Sequence, residues 1–118
     1  MAKLYGIKNC DTVKKARRWL DDHGQAYDFH DFREHGITAS AVKSWAKQVD
    51  QSLLINKRST TWKQLSDAQK AFFEASPLNA KALDIVLAQP TLIKRPVIET
   101  NGTVAVGFND KSYSDIFK

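Results

Sequence analysis

The chain is poor in everything that staples or punctuates a fold, with one cysteine, three prolines and five glycines among 118 residues. A single cysteine makes no internal disulfide, so the fold rests on packing and no oxidising compartment is implied. Any disulfide chemistry must recruit a second thiol from another molecule. No apolar run is long enough to span a bilayer, and Met1-Ala2-Lys3-Leu4 leads into a strand pattern rather than a secretory signal. A cytoplasmic protein without membrane contact is therefore expected. His23, His30 and His35 with one cysteine lack compact metal-ligand spacing, so neither a metal nor a bound cofactor is expected. The 18 basic and 13 acidic residues are interleaved along the chain, which reads as a solvated mixed surface and argues against direct nucleic-acid binding.

What is present is a 42% hydrophobic content, ordinary for one compact domain, and a monomer is expected. Residues 2–7 read as a strand, 11–23 as a helix closed by Gly24, and 26–32 as a second strand. Two strands joined by one helix make a βαβ unit with parallel strands. The helix would bury Val13, Ala16, Trp19 and Leu20 and expose Lys14, Lys15, Arg17 and Arg18. From Gly36 to Gln89 the periodicity is helical, over about 39–48, 51–55, 62–64, 67–75 and 79–88. Thr38 or Ser40, Ser66 and Asn79 suit N-caps, Pro77 and Pro90 suit breaks, and Trp45, Trp62, Leu65, Phe72, Phe73, Leu83 and Val86 suit the packing. After Pro90 the chain returns to β structure, with Asn101-Gly102 as a hairpin turn between apolar runs. A closing helix is expected over Ser112–Phe117, capped by Ser112. The order βαβ, helices, ββα predicts an α/β, thioredoxin-like fold with a mixed four-stranded sheet. Residues 1–34 and 90–118 would form its core and 36–89 a helical insert.

Cys10 stands where the first strand hands over to the first helix. Unpaired backbone N–H groups and the positive end of the helix dipole favour a thiolate there, and the thiolate is the reactive form. A lone cysteine can equally be a small core hydrophobe. Its polar neighbours Lys8, Asn9, Asp11 and Thr12 suit a surface junction better than a packed interior. Asp11 opposes the thiolate and Lys8 favours it, although Lys8 also reads as a plain solvated charge. Asp11 and Thr12 suit capping of the helix. In a thioredoxin-like architecture the proline opening the later hairpin packs beside the cysteine, usually after a cis bond, and Arg95-Pro96 holds that place. Pro96 could equally begin an edge strand. If the architecture holds, Arg95 is brought towards Cys10, where a guanidinium suits an oxyanion or carboxylate.

The stretch Tyr5-Gly6-Ile7-Lys8-Asn9-Cys10-Asp11-Thr12-Val13-Lys14-Lys15-Ala16 with Trp19-Leu20 resembles the YffB branch of the ArsC/Spx family. Leu54-Ile55-Asn56-Lys57-Arg58-Ser59-Thr60-Thr61-Trp62, Leu92-Ile93-Lys94-Arg95-Pro96 and Gly107-Phe108-Asn109-Asp110-Lys111-Ser112-Tyr113 agree, so the resemblance covers essentially the whole chain. It implies a cytoplasmic bacterial protein with chemistry through Cys10. Arsenate-reducing relatives attack arsenate with the matching cysteine, hold the oxyanion with three arginines, and use glutathione and glutaredoxin to finish the cycle. Arg95 matches one arginine. Arg58 lies in the segment that holds a second, where an ungapped comparison sets Asn56 nearer the position. The third would fall near Gly107, and its loss weakens an arsenate reading. Spx relatives commonly carry a Cys-x-x-Cys switch and bind RNA polymerase, whereas Val13 occupies the second cysteine position here.

The expectation is therefore a thiol-dependent reductase with Cys10 as nucleophile and glutathione as co-substrate. Arg95 would act with it at the reaction centre, and Lys8, Asn9, Thr12, Arg58 and Pro96 would shape the binding site. Glutaredoxin-coupled arsenate reduction is the enzymatic alternative, and a polymerase-binding transcriptional regulator the non-enzymatic one.

Overall fold

The computed structural model describes residues 1–74 and 78–118. In chain order the elements are β1 (Ala2–Gly6), α1 (Asp11–Asp22), β2 (Tyr27–Asp31), α2 (Phe32–His35), α3 (Ala39–Gln48), α4 (Gln51–Leu54), α5 (Thr60–Lys63), α6 (Asp67–Ala71), α7 (Ala80–Ala88), a 3-10 turn (Pro90–Leu92), β3 (Val97–Thr100), β4 (Thr103–Val106) and α8 (Asp110–Ile116). Two compact units divide the chain, one made of Met1–His35 and Arg95–Lys118, the other of Gly36–Lys94.

The first unit carries a sheet in the order β2-β1-β3-β4. β1 runs parallel to β2, and β3 is antiparallel to both β1 and β4. This is the mixed sheet of a thioredoxin-like α/β fold. Alternation along the strands puts Ala2 and Leu4 of β1 beside Tyr27 and Phe29 of β2, and that row packs with Ala16, Trp19 and Leu20 of α1 and Tyr113 of α8. All four expected inward residues of α1, Val13, Ala16, Trp19 and Leu20, are buried. Full burial of a side chain such as Leu20 contributes about 1.5–3 kcal/mol. Trp19 meets Tyr113 edge-on at 5.5 Å, and its indole N–H donates to Asp110. The Asn101-Gly102 turn has φ of 50° and 78°, the left-handed pair that the hairpin signal demands.

Two helix caps differ from expectation. Neither Asp11 nor Thr12 caps α1. Cys10 does, because its backbone is extended (φ −129°, ψ 124°) and its carbonyl accepts the first helical N–H, from Lys14, at 2.9 Å. The closing helix begins before Ser112, with Asn109 as N-cap. Asn109 accepts the Ser112 N–H at 2.7 Å, a shape an Asx side chain makes more readily than a hydroxyl. At the other end of α1, Gly24 takes φ 65° while the Gln25 N–H reaches back to the Leu20 carbonyl at 2.9 Å.

The second unit is helical. Thr38, Ser66 and Asn79 cap α3, α6 and α7, and Ser66 forms a reciprocal capping box with Gln69. Trp45, Leu65, Phe73, Leu83 and Val86 are buried, whereas Trp62 and Phe72 are half-buried. Pro77 lies outside the described residues. Pro90 opens a 3-10 turn rather than starting the return to the sheet. Ile55 bridges Ile93, and the Lys94 N–H donates to the Leu54 carbonyl at 2.8 Å, so residues 90–94 stay with the helical unit and the first unit resumes at Arg95.

Gly6 is the residue that lets β1 meet α1. A Cβ there would lie 2.7 Å from Val13 Cγ2, and a valine on a helix has little rotamer freedom with which to retreat. Gly6→Ala should lower the free energy of unfolding by about 1–3 kcal/mol. Urea titration measures this, and an alanine variant as stable as the original would show that the strand can back away.

Candidate functional site

Four residues join the end of β1 to the start of α1: Ile7, Lys8, Asn9 and Cys10. Ile7 is buried, Lys8 and Asn9 are exposed, and Cys10 is half-buried. Being N-cap, Cys10 lies beside the unpaired N–H groups of the first turn. Its thiol makes no capping hydrogen bond. Thr12, in the first turn, is half-buried.

The loop is held from β2. Asp31, 5% exposed, is the single buried charged side chain among the described residues. Its Oδ2 accepts the Lys8 backbone N–H at 3.0 Å, and its Oδ1 accepts the N–H groups of Arg33 at 2.7 Å and Glu34 at 3.3 Å. Burial pushes this carboxyl up, but the three N–H donors and the Lys8 charge outweigh it and hold it below the usual carboxylate range. No motif or spacing in the sequence marks Asp31. Its one signal is its register: Asp31 pairs with Gly6 on the same row as Tyr27 and Phe29, where an apolar residue is the rule.

The Lys8 ammonium is engaged by Glu34 Oε1 at 2.6 Å, and that contact raises its pKa. His35 Nε2 stands 3.8 Å from the other oxygen of Glu34. Side chains 60% and 49% exposed leave the Lys8–Glu34 pair in water, so it orients Lys8 rather than stabilising the fold.

Arg95 and Pro96 come from the start of β3. Tyr5 pairs with Val97 in an antiparallel ladder, so the chain enters β3 at the end of β1 from which the Cys10 loop departs. The Arg95–Pro96 bond is cis. Pro96 is buried and Arg95 half-buried. The Pro96 carbonyl accepts the Gly107 N–H at 2.8 Å, tying the start of β3 to the residue after β4. Lys8, Asn9, Cys10, Thr12, Arg95 and Pro96 thus belong to one unit and to one end of its sheet. Arg58 belongs to the helical unit, where it is exposed on the turn before α5 and its N–H donates to Asn56 Oδ1 at 3.1 Å. Among the described residues no group of three or more His, Cys, Asp or Glu is placed to hold a metal ion, and no helix is long and apolar enough to cross a membrane.

The model of the ArsC family matches residues 5–116. This chain belongs to the ArsC family. An uncharacterized protein of Haemophilus influenzae is 42% identical over 117 residues, covering 99% of each chain. A YffB protein of known structure superposes with a TM-score of 0.87 at 43% identity, over 98% of this chain and 97% of that one. An arsenate reductase (ArsC) related protein from Brucella melitensis gives a TM-score of 0.72 at 42% identity, over 99% and 94%. The global transcriptional regulator Spx of Staphylococcus aureus is 26% identical over 112 residues, 93% of this chain and 82% of its own. This ArsC-family chain is therefore similar both to arsenate-reductase-related proteins and to a transcriptional regulator.

Replacing Glu34 by Gln removes the charge that raises the Lys8 pKa. The Lys8 ammonium should then titrate closer to an ordinary lysine, with the thermal midpoint unchanged. NMR titration of the Lys8 side chain beside a melting curve checks both, and a large loss of thermal stability would show the pair to be structural.

Proposed function

We propose that this protein is a glutathione-dependent thiol reductase with Cys10 as its one nucleophile. The observation that carries the reading is the state of Cys10: the thiol is N-cap of α1, half-buried, and spends no hydrogen bond on capping. A thiol so placed is open to a partner's sulfur and engaged by no cap bond, as a nucleophile must be.

In the first step the Cys10 thiolate attacks the glutathione sulfur of a mixed disulfide. A Cys10–glutathione disulfide forms and the substrate leaves as its thiolate, taking a proton from water. In the second, the thiolate of a free glutathione attacks the glutathione sulfur of that adduct. Glutathione disulfide forms and the Cys10 thiolate returns, so in sum one free glutathione takes the substrate's place in the disulfide, its sulfur losing the one electron that the substrate sulfur gains. Val13 stands where a second cysteine would make the cycle internal, which is why the resolving thiol is external. Arg95 receives an anionic group of the substrate or of glutathione, with Lys8, Asn9, Thr12 and Pro96 completing the pocket. The chemistry suits a reducing cytoplasm.

Two other readings have their own support. Similarity to an arsenate reductase related protein favours arsenate as electrophile, with glutaredoxin as partner. Similarity to Spx favours binding to RNA polymerase without enzymatic turnover.

Incubation with a glutathionylated peptide, followed by mass spectrometry, should show a glutathione adduct on Cys10 and release of peptide thiol. Cys10→Ser should abolish both. No adduct on the unaltered protein would overturn the reading, and turnover with arsenate, glutathione and glutaredoxin, or capture of polymerase, would replace it. Arg95→Ala should lower kcat/KM roughly 10- to 100-fold, the worth of one charge-assisted hydrogen bond. Steady-state kinetics test this, and an unchanged kcat/KM removes Arg95 from the site.

A further inference from the structure

The Cys10 loop is pinned at its far end by the first bond of α1, from the Lys14 N–H to the Cys10 carbonyl at 2.9 Å. Its near end is pinned by Asp31. That carboxylate uses both oxygens: Oδ1 takes the first N–H groups of α2, and Oδ2 takes the Lys8 N–H. One buried side chain therefore ties together β2, α2 and the peptide two residues before the thiol. Successive Cα atoms are about 3.8 Å apart and joined by rigid peptides, so a displacement at Lys8 is carried to Cys10.

We propose that Asp31 is the positioning residue for Cys10, its carboxylate holding the Lys8 peptide and through it the thiol in the place from which it reacts. The proposal rests on the reading of Cys10 as nucleophile. The site demands a carboxylate. An amide of the same size has one acceptor oxygen, and its NH2 would face an N–H donor on one side or the other. Burial keeps water from replacing the missing acceptor at low cost. The three N–H donors and the Lys8 charge keep Asp31 ionised well into acid, so the anchor is present throughout the neutral range.

Asp31→Asn should leave the fold in place and free the loop. Hydrogen exchange at the Lys8 amide should then quicken, and thiol exchange between Cys10 and a glutathionylated peptide should slow about tenfold in kcat with KM little changed, since a hydrogen bond to a charged group is worth about one such factor. Asp31→Glu, which keeps two acceptor oxygens, should recover most of both. Leu20→Ala, a core substitution away from the loop, serves as the control: it should lower thermal stability without selective exposure of the Lys8 amide. Unchanged Lys8 exchange and unchanged kcat in Asp31→Asn would overturn the proposal, as would a Leu20→Ala variant that reproduces both effects. If Asp31→Asn does not fold, Asp31→Glu decides, and loss of kcat there with full Lys8 protection also overturns the proposal. If Cys10 of the unaltered protein does not exchange at all, the reductase reading falls. The Lys8 amide then decides the Asp31 anchor by itself.

Discussion

With no Cβ at Gly6, the backbone of β1 comes within contact of Val13 on α1, and the place of Cys10 follows from that approach. A strand and a helix this close leave only a short loop between them. Its last residue has to serve as the helix cap, and that residue is the cysteine. The packing of Ala16, Trp19 and Leu20 against the sheet fixes the helix, the ladder between β1 and β2 fixes the strand, and Asp31 closes the loop between them. Rigid elements hold both ends of a segment whose middle residues, Lys8 and Asn9, are open to water.

The charges near this end of the molecule are divided between structure and solvent. Arg17, one of four cations on the outer side of α1, is half-buried: its Nε–H donates to the Tyr27 hydroxyl at 3.1 Å and its guanidinium covers the Phe29 ring at 4.3 Å. It seals the edge of the core, as a planar cation on an aromatic face does well. Lys14, Lys15 and Arg18 are exposed and contribute to the field that an anionic thiol compound would meet. Lys8 is shared with Glu34, so its positive field at the loop is partly cancelled. The cation count around Cys10 in the sequence overstates the charge that is free to act there.

The elements that could be read in advance are those whose signal is local. The Asn101-Gly102 hairpin, the caps at Thr38, Ser66 and Asn79, and the inward stripe of α1 each follow from residues within one turn of one another. The cap of α8 was harder, because Asn109 and Ser112 are both good caps three residues apart and both take part in the bonding. The helical unit runs past Pro90 to Lys94, because Pro90 starts a 3-10 turn and Ile55 bridges Ile93 across a long stretch of chain. In the site, Cys10 and the Arg95-Pro96 pair stood out through motif and order. Asp31 and Glu34 did not, since their partners at Lys8 lie more than twenty residues away and no spacing rule connects them.

Gly107 carries φ 75°, is buried, and donates its N–H to Pro96. Residues with a Cβ resist that backbone conformation by about 1–2 kcal/mol. A bulky cation placed there would also have to leave a buried position without disturbing the bond that secures the start of β3. The arginine that arsenate-reducing relatives carry near this point is thus more than a side chain this sequence happens to lack. The backbone here is shaped for glycine, so an arginine at this position would carry that conformational cost at the turn that leads out of the sheet.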